Sequence, residues 1–187
     1  MEITLIRHGR SAHIEETRMT ISDFNEWIEK YNSNGIFKNE VCAQEATEIV
    51  KFAPFLITSD LKRSIESARL LNPAAKIKED PLFRETELPL PAGSLMEFKL
   101  KPNSWAVMLR ILWFCGYSSD CESYQDAKLR AKNAALKLIS CAKEHNSAIL
   151  VGHGFFNLLI AKELQKMDWK GSRKTGSRHW NVTTYKK

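Results

Sequence analysis

Short apolar runs and longer amphipathic stretches alternate along this chain. Ile3, Leu5 and Ile6 surround Thr4, and Phe55-Leu56-Ile57-Thr58 follows Pro54; both runs read as buried strands. Between them, Asp23 with Glu26 three positions on resembles a capping box, opening a short helix through Trp27, Ile28 and Tyr31 that ends at Asn32-Ser33-Asn34-Gly35. Residues 40–52 place Val41, Ala46, Ile49 and Val50 on one apolar helical face. Leu61, Ile65, Ala68 and Leu71 repeat at helical spacing behind Ser59 or Asp60 as cap. Residues 123–145 predict a long amphipathic helix, with Ala127, Leu129, Ala134, Leu136, Leu138 and Ile139 as its core face. Trp180, Val182 and Thr184 alternate as an edge strand.

The 187 residues suit one domain spanning 1–187, and 43% hydrophobic with 27% charged residues fit a soluble globular class. No apolar run approaches a membrane span, and the N-terminus, with Glu2 and no long apolar region, does not read as a secretory signal. Cys42, Cys115, Cys121 and Cys141 form neither a CxxC pair nor a Cys/His cluster, so reduced thiols and a cytoplasmic location are expected. The net charge of +6 sits at the C-terminal end: from Lys162 onward eight Lys/Arg face only Glu163 and Asp168. A solvated basic tail that adds to an anion-attracting field is the reading adopted; a nucleic-acid partner is not expected.

The first strand stops at Arg7-His8-Gly9, where two ionisable groups meet a residue expected to let the backbone turn sharply. The carboxyl end of a strand is where open α/β sheets put ligand chemistry. A histidine flanked by Arg7 and Arg10 attracts an anion rather than a cation, and phosphate fits best. Arg63 falls in the first turn of its predicted helix, against the dipole, which makes sense if both serve one bound anion.

These pieces resemble the histidine phosphatase superfamily, also called phosphoglycerate mutase-like. Arg7-His8-Gly9 follows the first strand, and Ser59-Asp60-Leu61-Lys62-Arg63-Ser64 with Ser67-Ala68 follows the next. Phe83-Arg84-Glu85 resembles the segment of the catalytic carboxylate, and Cys121-Glu122-Ser123 with Asp126 and Arg130 resembles the entry into a long helix. Ala148-Ile149-Leu150-Val151-Gly152-His153-Gly154 resembles the second histidine motif: strand, Gly-His-Gly, helix. Phe155, Phe156, Leu158, Leu159 and Ile160 then open a core helix, and a final strand over Asn181–Tyr185 fits as well. The resemblance implies an α/β fold, a three-layer α/β/α sandwich with a mostly parallel sheet and helices on both faces.

The chemistry follows from the residue types. His8 is expected to attack phosphorus through one ring nitrogen, giving a phosphohistidine that water hydrolyses. Its other nitrogen should be held by a backbone carbonyl near Gly9. Arg7 and Arg63 grip the phosphate oxygens, and His153 donates to the same group. Glu85 is the candidate acid for the leaving oxygen and base for water, with Glu79, Glu87 and Glu122 as competitors. No metal or other cofactor is expected.

Two departures bear on substrate. Where many relatives carry an asparagine six positions after the nucleophile, this chain has Ile14, preceded by His13. The Gly-rich, Trp-containing stretch of mutases is replaced by Glu87-Leu88-Pro89-Leu90-Pro91-Ala92-Gly93. Both count against a mutase. Ser11 and His13 are candidates for the pocket rim. Residues 12–39 and an aromatic insertion at about 94–120, with a helix around Trp105–Cys115, are the candidate specificity regions. The insertion (Leu95, Met96, Phe98, Leu100, Trp105, Val107, Met108, Leu109, Ile111, Leu112, Trp113, Phe114) reads as a lid over an apolar phosphoester, or equally as core or a homodimer contact. The expected activity is metal-independent hydrolysis of a small phosphate monoester. A phosphohistidine-type phosphoprotein phosphatase and a non-catalytic phospho-ligand module are the alternatives.

Overall fold

A computed structural model describes residues 1–37, 39, 41–91 and 98–187. The apolar run near the N-terminus forms strand β1 (Glu2–Arg7), and its neighbours are β2 (Phe55–Thr58), β3 (Lys76–Glu79), β4 (Ser147–Gly152), β5 (Lys170–Gly171) and β6 (Val182–Lys186). They form one sheet in the order β3-β2-β4-β1-β6-β5. The first four are mutually parallel, with Leu5 of β1 beside Leu150 of β4 and Ile57 of β2 on its other side. β6 runs antiparallel to β1, and the two-residue β5 antiparallel to β6.

Alternation along the strands sends side chains to two helical layers. Ile3, Leu5, Ala148 and Leu150 face helices α5 (Tyr124–His145) and α6 (Gly154–Lys166). The face α5 turns inward is a stripe of small residues (Ala127, Ala131, Ala134, Ala135, Ala142), which lets it approach α6 and the sheet closely. Ile6, Leu56, Ile149 and Val151 face helices α2 (Gln44–Val50) and α3 (Lys62–Leu71). The result is the α/β/α sandwich expected, with a mostly parallel sheet.

Helices α1 (Ile21–Ser33) and α4 (Pro102–Phe114) build a third cluster, in which Met19, Ile21 and Phe24 pack on Trp105 and Leu109. A two-bond bridge between Met19 and Leu100 (2.9 and 3.0 Å) ties their approaches together. The aromatic insertion therefore has a core of its own. Trp105, Leu109 and Trp113 are fully buried, whereas Val107, Ile111 and Phe114 on its outer side remain exposed. Leu95 and Met96, and Ala92-Gly93 of the stretch after the acid segment, lie outside the described residues.

Several sequence expectations are corrected. Thr20, not Asp23, is the N-cap of α1; Asp23 is the reciprocal member of that capping box. The second helix is shorter than 40–52, because only Ala46 and Val50 find the sheet, and Val41 (86% exposed) and Ile49 do not. Neither Ser59 nor Asp60 caps α3, which starts at Lys62 behind Leu61 with no side-chain cap. Leu129 and Leu136 face solvent. The C-terminal strand is interior rather than an edge, since β5 covers its outer side. Trp180 precedes it.

Candidate active site

Three adjacent parallel strands end side by side, and the residue after each carries a site side chain: Ser59 after β2, His153 after β4 and His8 after β1. The His8 N–H continues the ladder to the Gly152 carbonyl at 2.9 Å. The parallel register thus sets the two histidines abreast, their ring centroids 5.1 Å apart. His8 is 2% exposed and His153 is 0% exposed.

Hydrogen bonding assigns the protons. Nδ1 of His8 lies 2.6 Å from the Gly9 carbonyl oxygen, which only accepts, so Nδ1 carries the hydrogen and Nε2 keeps its lone pair. Nε2 of His153 lies 2.7 Å from Oγ of Ser59, and that oxygen accepts the Leu61 N–H at 3.3 Å. Among the described residues Nε2 is the only acceptor in reach of the Ser59 hydroxyl hydrogen, and with that bond made Nδ1 is the protonated nitrogen of a neutral His153. That Nδ1 is buried with no partner among the described residues. Burial first, then the Arg63 charge, holds both imidazoles well below their ordinary value, so both are neutral.

The arginines complete an anion cradle. Arg63, 2% exposed, stacks its guanidinium 4.6 Å from the Tyr31 ring centroid and donates Nη1 to Asn32 Oδ1 (3.0 Å) and Tyr31 O (3.3 Å). Arg7 donates Nη1 to the Ser177 carbonyl. The Nε groups of both arginines are buried and without a partner among the described residues. Unpaired N–H groups are costly to bury, so three of them (Arg7 Nε, Arg63 Nε, His153 Nδ1) around the two histidines mark the place of a missing acceptor. The Ser-x-x-Ser part of the α3 motif ties the cradle together. Ser64 Oγ accepts from the Ser59 N–H (3.2 Å) and donates to Val151 O, while Ser67 Oγ accepts from the Gly9 N–H (2.9 Å) and donates to Arg63 O.

Glu85, on the loop after β3, lines a cavity together with Arg7 and Arg63. Its Oε1 accepts the N–H groups of Thr86 (2.9 Å) and Phe156 (2.8 Å), and its Oε2 accepts that of Phe155 (3.1 Å). The carboxyl group thus sits on the N-terminus of α6, and Oε2, with a single donor, is the oxygen with room for a proton. Among its competitors, Glu122 is paired to Arg130 and Glu79 lies on the edge strand β3. Glu87 lines the cavity but is exposed.

The sequence profile described as Histidine phosphatase superfamily (branch 1) matches residues 3–186. The chain belongs to this superfamily. No curated protein matches it. Among solved structures, a mycobacterial glucosyl-3-phosphoglycerate phosphatase bound to VO3 is similar at 19% identity and TM-score 0.61, over 98% of this chain and 91% of that one. A phosphoserine phosphatase mutant from Entamoeba histolytica, in complex with phosphoserine, is similar at 16% identity and TM-score 0.57, over 98% and 89%. A protein titled mycobacterial hydrolase 1 is similar at 20% identity and TM-score 0.60, over 89% and 79%. At these identities the likeness establishes the shared fold.

On this histidine phosphatase scaffold the cavity measures about 600 Å³. Arg7, Arg63 and Glu85 line it, and Phe24, Trp27 and Ile28 of α1 with Ala106 of α4 form an apolar part of its wall. Ser11 is buried and lines the cavity, as does the half-buried His13, whose ring lies 5.4 Å from Trp27. Among the described residues, no helix is long and apolar enough to cross a membrane, all four cysteines are free thiols, and no three His, Cys, Asp or Glu side chains gather as a metal site.

Two features correct or extend the sequence reading. Gly9 is not needed for a sharp turn, because its φ is not positive; it is needed for space, since a Cβ there would lie 2.2 Å from the Trp180 indole. His179 was not anticipated. It lines the cavity, its ring is 5.5 Å from that of His8, and its Nδ1 donates to the His8 carbonyl at 3.0 Å. The available signal was position: an antiparallel neighbour of β1 must begin where β1 ends. Trp180 makes that junction in a left-handed backbone (φ 61°), donating its N–H to Arg7 O at 3.0 Å.

Proposed function

We propose that this protein is a phosphatase that hydrolyses a small phosphate monoester through a phosphohistidine on Nε2 of His8. The observation that carries this reading is a complementary pair of ring nitrogens: a lone pair on His8 Nε2 beside a buried, unpaired N–H on His153 Nδ1. In the first step the Nε2 lone pair forms the N–P bond while the ester P–O bond breaks, and the leaving oxygen takes a proton from Glu85 Oε2. In the second, the Glu85 carboxylate takes a proton from water, the water oxygen forms the new P–O bond, and the N–P bond breaks. Arg7, Arg63 and His153 neutralise the equatorial oxygens throughout, the work a metal ion does in other phosphoryl-transfer sites.

The apolar wall of α1 and α4 suits a substrate whose alcohol portion is apolar or aromatic, and the burial of His8 suits a small molecule better than a folded phosphoprotein. The two phosphatases of similar fold are in keeping with a phosphate monoester.

The test is hydrolysis of p-nitrophenyl phosphate with EDTA present, wild type against His8→Ala, with an alkaline quench and mass spectrometry of the peptide that contains His8. Activity that persists in EDTA, disappears in His8→Ala and leaves phosphate on that peptide supports the reading. Equal activity in the two proteins overturns it. 2-Phenylethyl phosphate should be preferred to ethyl phosphate, whose leaving group is of similar basicity; equal kcat/KM for the two would overturn the apolar specificity.

A further inference from the structure

Arg110, on the inner side of α4, stands where that helix, the acid loop and the start of α6 meet. Its guanidinium carbon is 4.6 Å from the ring centroid of Trp113 and 4.5 Å from that of Phe155. Nη2 donates to the carbonyl of Thr86 at 3.1 Å and Nη1 to that of Glu87 at 3.2 Å. Thr86 and Phe155 are also two of the three residues whose peptide N–H groups hold the Glu85 carboxyl group. Arg110 therefore grips Glu85 from both sides without bonding to it: the acid loop by a fork of two hydrogen bonds, and the α6 N-terminus by stacking on Phe155. A planar guanidinium is the side chain that makes both contacts at once; a lysine ammonium does not match the fork or the ring.

We infer that Arg110 is a positioning residue for the general acid, acting through Glu85 and coupling the placement of α4 to the placement of that carboxyl group. This rests on the phosphatase reading above. Its two terminal nitrogens are committed to backbone carbonyls and its plane lies against two rings, which leaves it poorly placed to serve as a primary anchor for a substrate anion. Glu85 lies near enough to favour its charge, although burial pulls the guanidinium below its ordinary value. A merely structural Arg110 would instead stabilise the fold and affect every substrate alike.

The experiment compares kcat/KM, which reports the steps up to departure of the leaving group, on p-nitrophenyl phosphate and on 2-phenylethyl phosphate. Nitrophenolate leaves without a proton, whereas the alkoxide requires one. Glu85→Gln sets the benchmark, with a loss of about 100-fold or more on the alkyl ester and a far smaller one on the nitrophenyl ester. Arg110→Met and Arg110→Lys are expected to copy that pattern at about tenfold on the alkyl ester and less than about twofold on the nitrophenyl ester. In the Glu85→Gln background, adding Arg110→Met should change neither value further. Arg110→Lys, which keeps the charge and the aliphatic stem, provides the readout if Arg110→Met does not fold. Equal losses on the two esters, no loss on either, or a further loss in the Glu85→Gln background overturns the inference while leaving the phosphatase reading intact. A Glu85→Gln enzyme that loses both esters equally removes Glu85 as the acid, and this inference with it; His8→Ala judges the phosphatase reading separately.

Discussion

The Ser59 hydroxyl, placed at the end of β2, lies 2.7 Å from Nε2 of His153 at the end of the neighbouring β4. Among the described residues it is the only hydrogen-bond partner of either His153 ring nitrogen, and it directs the proton of that ring to Nδ1, where none of them accepts it. Ser59→Ala should therefore lower kcat by about tenfold, the worth of one net hydrogen bond in a barrier, with little change in KM. An unchanged kcat in steady-state assays would show that the tautomer is held by other means.

The two neutral histidines give stability a definite pH dependence. Both are held below the ordinary imidazole value of 6.5 in the folded chain and return to it on unfolding. Below 6.5 the unfolded chain binds protons that the folded chain refuses, so folding stability is complete above that pH and is lost as pH falls toward the lowered values. Thermal melts from pH 8 to pH 5 should show a falling Tm in the wild type and a shallower fall in His153→Gln. A flat wild-type profile would contradict the buried neutral pair.

Arg63 should dominate phosphate affinity, since it is the more deeply buried of the two cradle arginines, both of which present an unpaired Nε. Replacing it by lysine loses the fork and the stack on Tyr31. We expect Arg63→Lys to lose about 100-fold in kcat/KM and to bind inorganic phosphate and vanadate far more weakly as competitive inhibitors. Inhibition constants equal to the wild type would remove Arg63 from the cradle.

Gly9 and Trp180 occupy one space. Gly9→Ala should destabilise the fold by about 1–3 kcal/mol, because a methyl group 2.2 Å from an indole carbon forces the ring or the His8 loop to move. Denaturant unfolding should show the loss. Adding Trp180→Ala, which deletes the clashing ring atoms, should make the Gly9→Ala change nearly neutral in that background, and a cost that persists there would indicate backbone strain at Gly9 instead.

Much of the fold was legible because its signals are local. The strand at Ile3–Ile6, the break at Pro54 and the long helix behind Ser123 are written in short windows, and the predicted bounds of α5 and β2 agree with the structure closely. Exposed positions were harder to read. Leu129 and Leu136 fit the helical period of α5, yet the alanine stripe turns its own face to the sheet and leaves both leucines outside. Asp23 with Glu26 offers the same cap spacing as Thr20 with Asp23, and only the backbone shows which residue precedes the first turn.

By itself the sequence determined which chemical groups are available and which strand each one belongs to: an arginine ending β1 with a histidine after it, serine and arginine after β2, a second histidine after β4. That information is carried by covalent neighbours and by short-range propensity. Only the tertiary structure decided the order β2-β4-β1, which sets Ser59, His153 and His8 abreast, and the antiparallel docking of β6, which delivers His179 and Trp180 to the same place. It also decided that α4 folds onto α1 and brings Arg110 to the acid loop. Strand order, proton placement and helix docking depend on contacts between residues far apart in the chain, such as Thr4 and Thr184 at 180 positions, and no local window of the chain contains them.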